Sequence, residues 1–507
     1  MFCLGVCPAF CQVPVYTGQY NLSRTSANLA ETILTPSNVS QTSFGLLFSR
    51  SVDAQIWAQP LYVPTVTIKG KTQNVVYVAT MNNSVYAFDA DTPAASAPLW
   101  YVNLGPPLPF ANAQLSPIIG ILSTPAIDPT TGTIYVVAAT YVNSVLNYML
   151  HALDVTSGAE KFNGPVRIQA AVAGTAPDSV NGIVTFQPAH ELQRPALLLV
   201  GGSLFIAFGA SEEGQGAPTY HGWLLGYRAA TLALTSVFNT SANGNGGGIW
   251  MSGVGPSADA SAIYFAVGNG SVGTGNSGDT VIRAGATTGY FTPADFYVLN
   301  IYDWDLGAGG PVLIPGSNLM AIGGKTGDLY VLNRTNPGKF QAGDAGAVQS
   351  FQSSPVCSTA VYNGCFEIHH LTLWPRSSGT SYLYVWAWQD SLKAYAFSGG
   401  PLNTTPASLN NMPTGYPGGI LALSANGNTN GILWAVTSPS GWDGSVSYPA
   451  GVLHAFNASN VATELWNSTM NPSDALGTLT KFAVPVVTNG KVYVATTANT
   501  LRVYGLH

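Results

Sequence analysis

Charged residues are scarce in this sequence. Asp, Glu, Lys and Arg make up 8% of its 507 residues, whereas about a quarter is usual in soluble proteins. The 17 lysines and arginines are scattered, which excludes the clustered basic surface of a nucleic-acid-binding protein. Low charge together with 46% hydrophobic residues also excludes a disordered chain. The polar surface must come from uncharged residues, as is typical of secreted proteins, so we expect an extracellular or periplasmic location.

Cysteine is scarce too. No two of the five cysteines are adjacent, and none belongs to a Cys-x-x-Cys-His haem-attachment motif. Cys3, Cys7 and Cys11 have a spacing that matches neither zinc fingers nor haem sites. Cys357 and Cys365 lie eight positions apart, and in an extracellular loop this spacing predicts a local disulfide. Two free buried thiols in a cytosolic protein are the alternative.

Long hydrophobic runs are absent as well. The longest, residues 195–210, is interrupted by Gly201, Gly202 and Ser203, so it predicts two buried strands joined by a turn rather than a membrane span. Residues 1–12 are short and apolar, and we interpret them as a signal-peptide remnant cleaved near Cys11 to Val13. Retention of this segment, with self-association through it, is the alternative. Residues 13–43 form an irregular N-terminal segment, and residues 44–507 form one repeat domain.

A short unit is repeated along that domain. Residues 74–104 read as strand, polar turn, strand, loop and strand, and residues 57–66 add a fourth strand upstream. We count eight such copies. The sequence therefore predicts an all-β fold, a single eight-bladed β-propeller of four-stranded antiparallel blades. Seven blades are the alternative if the fourth copy is irregular.

The two ends of the domain and its fourth copy differ from the regular repeat. The eighth copy lacks its last strand, and residues 44–52 resemble a last strand without the first three, so we expect the N- and C-terminal strands to close the ring. In the fourth copy a Gly-rich insertion, residues 268–293, is expected as a loop. Residues 295–303 are expected as the strand that follows it.

A family resemblance lies in the second copy. Residues 152–162, ALDVTSGAEKF, resemble the A-x-D-x-x-T-G-K-x-x-W motif of quinoprotein propellers, with Ala152, Asp154 and Gly158 matching and Phe162 in the place of Trp. The chain from residue 44 onward resembles secreted proteins with pyrroloquinoline-quinone-like (PQQ-like) repeats. In that family the motif docks adjacent blades, and the resemblance implies PQQ and calcium as cofactors of an oxidoreductase.

The catalytic set that the resemblance implies is not recognisable here. It would comprise a quinone held between a Trp and a vicinal disulfide, a calcium held by Glu, Asn and Asp, and a catalytic Asp. The best acidic group is Asp303, Asp305 and Glu367, whose oxygens could bind calcium. As an alternative, these residues satisfy backbone N–H groups in turns.

A propeller usually places its site where the innermost strands begin, at the mouth of the central channel. The ligand-binding candidates at these strand starts are Gln55, Trp57, Arg194, Trp250, Asp305, His369 and Lys481. Ser123, Thr124, Ser252 and His370 are close to such starts as well. Arg194 and Lys481 could hold a small polar or anionic ligand, with a Trp ring stacked on it. The alternative is that these residues only cap the mouth.

These observations favour a secreted propeller that binds or scaffolds and lacks quinoprotein catalysis. The alternatives are a PQQ- or calcium-dependent oxidoreductase with a diverged site, and an extracellular self-assembling subunit of a filament or surface layer. No Gly-x-Ser-x-Gly motif occurs, so no hydrolase triad is expected. We expect neither a nucleic-acid partner nor a transmembrane segment.

Overall fold

The computed structural model describes residues 12–109, 116–211, 219–357, 366–440 and 448–507. Eight small antiparallel sheets form a ring, which is an eight-bladed β-propeller and confirms the predicted fold. The strands of each blade run from the innermost, at the central channel, to the outermost. No helix in the described ranges has the length and apolar character that a membrane crossing requires.

The blades follow the chain in order, and blade 8 takes its outermost strand from the N-terminal end. From the inside outwards, the strands are Leu61–Ile68, Lys71–Ala79, Ser84–Asp89 and Trp100–Asn103 in blade 1; Ala126–Asp128, Thr133–Val142, Val145–Asp154 and Val166–Arg167 in blade 2; Leu198–Val200, Ser203–Ala210, Trp223–Arg228 and Ala233–Asn239 in blade 3; and Ser257–Ala258, Ala262–Val267, Thr280–Gly285 and Gly289–Thr292 in blade 4.

The second half of the ring repeats this arrangement. The strands are Val312–Leu313, Leu319–Gly323, Asp328–Asn333 and Gln349–Gln352 in blade 5; Leu371–Trp374, Ser381–Val385, Lys393–Phe397 and Ser408–Leu409 in blade 6; Ile420–Asn426, Thr429–Thr437, Val452–Asn457 and Glu464–Asn467 in blade 7; and Val486–Thr488, Lys491–Ala495, Thr500–Leu506 and Phe44–Ser51 in blade 8.

Short elements decorate these sheets. Glu191–Leu192 also pairs with the second strand of blade 3, Lys339–Phe340 extends blade 4, and Ala27–Asn28 extends blade 7. Three small hairpins comprise Leu108–Pro109 with Ile118–Ile119, Ala171–Ala173 with Ile183–Thr185, and Val272–Gly273 with Asn276–Ser277. Single 3₁₀ turns occur at Met251–Gly253, Leu306–Ala308, Ala342–Asp344 and Pro472–Asp474.

Adjacent blades dock through the repeated motif, as blades 1 and 2 show. Gly158 of the ALDVTSGAEKF stretch has φ +72, and a β-carbon there would lie 2.7 Å from the Trp100 ring of blade 1. The Trp100 Nε1 and the Tyr77 hydroxyl both donate to the Val155 carbonyl, at 3.0 and 2.8 Å. Glycine is therefore needed for close approach as well as for its positive φ.

The predicted closure of the ring is confirmed. Phe44–Ser51 pairs antiparallel with Thr500–Leu506, from Phe44 opposite Leu506 to Ser51 opposite Thr500, with one register shift between Leu46 and Phe48. This pairing completes blade 8 from the two ends of the chain. It also removes the free sheet edge that an open ring would present at this point.

The fourth copy departs from the prediction. The Gly-rich segment expected as a loop contains the third and fourth strands of blade 4, Thr280–Gly285 and Gly289–Thr292. The segment expected as a strand is instead helix α1, Phe296–Tyr302, which ends at Asp303 in the left-handed conformation. The strand prediction failed because aromatic and β-branched residues favour strands mainly when their side chains pack against a sheet. In this segment only Leu299 is buried, so that packing is missing.

Residues 13–31, which we call the N-terminal plug, run along the innermost strands and cross the channel. Main-chain bonds join Val15 to Tyr62, Tyr16 to Ile127, Leu22 to Ala258, Ser23 to Leu313, Thr25 to Leu373 and Ser26 to Leu423. These contacts reach blades 1, 2, 4, 5, 6 and 7. Arg24 reaches blade 3 through the Leu197 carbonyl, and Tyr20 reaches blade 8 through its hydroxyl, which accepts from the Val487 N–H.

Arg24 is the centre of the plug. Its guanidinium is buried and donates to Thr17 Oγ1 and to the carbonyl oxygens of Gly18, Leu197 and Pro256, at 2.6–3.2 Å. Burial lowers the pKa of Arg24 to about 9, so the side chain remains a cation at neutral pH. All three guanidinium nitrogens are thus used in tying the plug to itself and to blades 3 and 4.

Candidate functional site

The channel mouth is formed by the segments that directly precede the innermost strands, and these segments contact one another across the ring. The Arg194 guanidinium carbon lies 5.8 Å from the Trp57 ring centre and 5.7 Å from that of Phe482. Phe482 in turn lies 5.0 Å from the His369 ring. Residues preceding the inner strands of blades 1, 3, 6 and 8 therefore meet at one place.

Two further aromatic contacts complete this cluster. The Tyr416 ring lies 5.4 Å from His369, and the Lys481 ammonium lies 5.0 Å from the Tyr416 ring centre. Gln55 accepts a hydrogen bond from Trp57 Nε1 at 2.9 Å. The structure thus brings together Gln55, Trp57, Arg194, His369 and Lys481 from the sequence-derived set.

Arg194 lies in the interior of this cluster and is 1% exposed. Its terminal nitrogens donate to the Leu122 carbonyl at 2.9 Å and to the Lys481 carbonyl at 3.1 Å, and its Nε has no hydrogen-bond partner in the described part of the chain. Burial lowers its pKa to about 9. Among the described residues no carboxylate forms an ion pair with Arg194, so its charge is not compensated.

Other buried polar atoms near Arg194 also have no partner within the described residues. They are Ser123 Oγ, both ring nitrogens of His370, and Thr480 Oγ1. Ser123 follows Leu122 and Thr480 precedes Lys481, so both adjoin the carbonyl groups that Arg194 contacts. Burial, His369 and the Arg194 charge lower the pKa of His370 to about 3, which keeps this imidazole neutral at physiological pH.

A linked set of hydrogen bonds lies beside this region. Ser252 Oγ and His369 Nδ1 are 2.8 Å apart, and His369 Nε2 and Glu367 Oε2 are also 2.8 Å apart. Burial would raise the pKa of Glu367, but the hydrogen bond with His369 and the positive charges of His369, Lys325 and Lys481 outweigh burial and hold that pKa below its usual range. Glu367 is therefore ionised at neutral pH.

The acidic candidates Asp303 and Asp305 share one partner. Lys325 Nζ lies 2.9 Å from Asp303 Oδ1 and 2.6 Å from Asp305 Oδ1. Behind them, Asp279 is fully buried, and burial followed by the nearby Asp305 charge raises its pKa well above the usual value. Asp279 Oδ1 accepts from the Leu306 N–H at 3.3 Å, and its Oδ2 is without a partner among the described residues.

Trp250 is not part of this arrangement. Its indole is half-buried and packs against the apolar cluster that contains Leu122, Leu197 and Phe208. No polar contact between Trp250 and the other candidates is seen within the described ranges. The predicted bridge between Cys357 and Cys365 stays a prediction, because Cys365 lies outside the described residues, as do Cys3, Cys7 and Cys11.

The residues at the mouth do not fit the calcium ion that the family resemblance implies. A calcium site needs several converging oxygen ligands and a net negative charge. Here the Lys325 ammonium occupies the space between the Asp303 and Asp305 carboxylates, and Glu367 is engaged with His369. Within the described residues no group of three or more His, Cys, Asp or Glu side chains converges on a point where a metal could bind.

Sequence reasoning missed several residues of the site. Lys325, Tyr416 and Phe482 were not singled out, although Tyr416 and Phe482 directly precede inner strands and could have been found by the same rule as Trp57. Ser252 and His369 were named separately, because nothing in the sequence pairs two positions that lie 117 residues apart. Lys325 follows the second strand of blade 5, where the rule used for strand starts does not apply.

Solved structures with a similar fold include two quinoprotein enzymes. Quinohemoprotein alcohol dehydrogenase ADHIIG from Pseudomonas putida HK5 has a TM-score of 0.59 and 14% identity, over 97% of this chain and 80% of that one. Quinohemoprotein alcohol dehydrogenase from Comamonas testosteroni has a TM-score of 0.58 and 15% identity, over 97% of this chain and 80% of that one. Sqt1 from Saccharomyces cerevisiae has a TM-score of 0.52 and 12% identity, over 92% of this chain and the whole of that one.

These likenesses confirm the resemblance to quinoprotein-type propellers at the level of the fold. At identities of 12–15%, they show the fold alone, since one fold serves many functions. No family model matches the sequence, and no curated protein matches it. The function must therefore be argued from the residues of the site.

Proposed function

We propose that this propeller is a binding module whose channel holds a small anion or a carboxylate group, with Arg194 as the main contact. The observation that carries the proposal is the buried charge of Arg194 at the channel mouth, which among the described residues has two backbone carbonyls as hydrogen-bond partners and no carboxylate. Burying a charge without a counter-charge costs several kcal/mol. A bound anion would supply the missing counter-charge.

The contrast with Arg24 supports this role for Arg194. Both guanidinium groups are buried without an ionic partner in the described part of the chain, but Arg24 makes four hydrogen bonds that hold the plug together. Arg194 makes two, to the carbonyl groups of Leu122 and Lys481. The residues next to these in sequence, Ser123 and Thr480, have buried hydroxyls without a partner among the described residues. Arg24 therefore has a structural role, whereas Arg194 and the two hydroxyls have unused capacity for a ligand.

The electrostatic surroundings favour an anion over a cation. Arg24 and Arg194 together place two positive charges along the channel. The carboxylates Asp303 and Asp305 are paired with Lys325, and Glu367 lies close to Lys325 and Lys481. In a partly desolvated channel such charges act more strongly than they would in water.

Titration calorimetry with sodium sulfate, acetate and malonate at constant ionic strength tests the proposal. We expect one of these anions to bind the wild type. We expect Arg194→Met to weaken that binding by the roughly 1.5–3 kcal/mol of a charge-assisted hydrogen bond. Arg50→Met is the matched control, because Arg50 is also buried and donates to backbone carbonyls, but at the junction of blades 1 and 8. If no anion binds the folded wild type, these residues only cap the mouth.

Oxidoreductase activity is the competing function, and it has a separate test. Purified protein mixed with PQQ and calcium should fail to reduce an artificial electron acceptor in the presence of alcohols or sugars. Reduction that depends on both cofactors would favour the oxidoreductase.

Secretion, the local disulfide and self-association also remain proposals. N-terminal sequencing of secreted protein and size-exclusion chromatography test the first and the third. Helix α1 offers one surface for association, since Tyr297, Val298, Ile301 and Tyr302 are 39–68% exposed.

A further inference from the structure

In the described part of the chain, there are three places where a histidine links a hydroxyl to a carboxylate. They are Ser252–His369–Glu367, Ser241–His221–Asp178 and Thr437–His454–Glu464. A repeated arrangement of this kind can be a way of satisfying a buried imidazole. The three sets differ, however, in where the hydroxyl proton points and in where they lie.

In the Ser252 set the hydrogen-bond directions follow from the partners. Glu367 is an ionised carboxylate and can only accept, so His369 Nε2 carries the ring proton. In the neutral form of the ring, which is the form that can act as a base, Nδ1 is an acceptor and the Ser252 hydroxyl donates to it. Ser252 Oγ has no other hydrogen-bond partner among the described residues. This is the arrangement in which a histidine can take the proton of a serine nucleophile.

The other two sets differ from this arrangement. Ser241 Oγ donates to the Gly246 carbonyl at 2.7 Å, so its proton is not directed at His221. Thr437 lies within a regular strand, the second of blade 7, opposite Val452 of the third strand, and unlike Ser252 it does not have a positive φ. Of the three hydroxyl-bearing residues, Ser252 alone is followed by a glycine that packs against Arg194.

The backbone at Ser252 is also unusual. Met251 and Ser252 both have positive φ, 47° and 45°, a left-handed conformation that non-glycine residues adopt only at a steric cost. Strain of this kind tends to persist where a side chain must be held in a functional position. The next residue is Gly253, where an added β-carbon would lie 2.7 Å from Arg194 Nη1. A cation thus lies against the peptide that follows the serine.

We propose that Ser252 is a nucleophile for the hydrolysis of short-chain carboxylic esters, with His369 as the general base and Glu367 as the residue that orients it. Ser252 Oγ attacks the ester carbonyl while its proton passes to His369 Nδ1. The carbonyl oxygen becomes an oxyanion beside the Arg194 guanidinium. The bond to the alcohol then breaks, and the alcohol leaves with the proton from His369. Water, activated by His369, hydrolyses the acyl-serine to a carboxylate and restores the enzyme.

The burial of Ser252 limits the substrate. Ser252 is fully buried and His369 is 4% exposed, under the rings of Tyr416 and Phe482. A substrate therefore has to enter from the channel mouth, and an acetyl group fits this requirement better than a long acyl chain. The inference shares Arg194 with the proposed anion binding but does not depend on it, because acylation of Ser252 can be measured directly.

The experiment uses p-nitrophenyl acetate as substrate and phenylmethylsulfonyl fluoride as a covalent probe, followed by peptide mass spectrometry. We expect ester hydrolysis by the wild type and a sulfonyl adduct on Ser252. Ser252→Gly suits the left-handed backbone, so this variant should fold, and both it and His369→Gln should lose about 100-fold or more in rate. Ser241→Ala and Thr437→Val are matched controls from the other two sets and should keep the wild-type rate.

Several results would overturn the inference. They are a folded wild type that is not labelled, an adduct confined to another residue, or a Ser252→Gly variant with the wild-type rate. Circular dichroism of each variant confirms that the fold is retained. Anion binding is measured by calorimetry on the same preparations, so the failure of one proposal is distinguishable from the failure of the other.

Discussion

The ring of Phe44 meets the indole of Trp466 edge to face, with the two ring centres 4.9 Å apart. Phe44 begins the outermost strand of blade 8, and Trp466 lies in the outermost strand of blade 7. A second indole, that of Trp434, lies 5.3 Å from Phe44. The N-terminal strand is therefore held by hydrogen bonds within its own blade and by aromatic packing against the next one.

Truncating this contact should destabilise the closed ring. Phe44 is fully buried, so we expect Phe44→Ala to lower the free energy of unfolding by about 3–5 kcal/mol, as large-to-small substitutions in cores do. Urea denaturation measures the change. Val180→Ala is the control, because Val180 is 70% exposed and should change stability by less than about 0.5 kcal/mol. Equal stability of Phe44→Ala and wild type would show that closure does not depend on this packing.

The plug should depend on Arg24. Arg24→Met removes four hydrogen bonds and leaves buried carbonyl groups without a donor. We expect a loss of at least the roughly 1.5–3 kcal/mol of one charged hydrogen bond. Hydrogen exchange should become faster at Ala258 and Leu313, whose amides bond to the plug. Arg228→Met, at an exposed position, should leave both the stability and the exchange unchanged.

Asp279 should make stability depend on pH in an unusual direction. Its pKa is raised in the folded protein, so the stability contributed by the neutral form is fully present below the unfolded pKa, about 3.9. This contribution is lost as the pH rises through the raised pKa. Asn resembles the neutral acid in shape, so we expect Asp279→Asn to melt at a higher temperature than the wild type at pH 7.

A second aspartate provides a control, because its replacement by Asn should change the stability at pH 7 in the opposite direction. Although Asp89 is buried, N–H groups of Asp91 and Thr92 donate to it and lower its pKa. Asp89→Asn should therefore be less stable than the wild type at pH 7. The difference for Asp279→Asn should shrink as the pH falls toward the unfolded pKa, whereas the difference for Asp89→Asn should shrink only as the pH falls further, through the lowered folded-state pKa of Asp89. An Asp279→Asn variant that is less stable than the wild type at pH 7 would contradict the inferred burial penalty.

The predicted disulfide can be tested on one peptide. Residues 340–376 contain no internal Lys or Arg, so trypsin releases Cys357 and Cys365 together. We expect this peptide from unreduced protein to resist alkylation and to be lighter by two hydrogen atoms. Reduction should expose two thiols. On the chain-entropy model the bridge contributes about 2–3 kcal/mol. Two thiols that can be alkylated before reduction would exclude it.

Much of the fold could be predicted from the sequence because the strands and turns of each blade lie within one continuous segment of the chain. Period-two alternation and polar turns identify the strands, and an orphan strand at each end identifies the closure between Phe44–Ser51 and Thr500–Leu506. The fourth copy was mispredicted because its strands are glycine-rich, whereas the β-prone residues Phe296–Tyr302 form a helix. Which of two such segments joins a sheet depends on tertiary packing, which local composition does not encode.

The site was less predictable for a geometric reason. The rule that inner strands begin at one mouth was enough to name Trp57, Arg194, His369 and Lys481. Their mutual distances, and the pairing of Lys325 with Asp305, depend on how far each chain segment reaches into the channel. These distances are a property of the closed ring, and no single blade contains that information.

The N-terminal plug has a consequence for how the protein is made. Its residues are synthesised before the inner strands that they contact in all eight blades, and the closing strand Phe44–Ser51 is synthesised long before its partner Thr500–Leu506. At about 5–20 residues per second, synthesis of a chain of this length takes roughly 25–100 s. Throughout most of this time the closing strand lacks its partner, and the plug has only part of its contacts. The ring can therefore close only after Thr500–Leu506 has been synthesised, and until then the closing strand is the segment most in need of a chaperone.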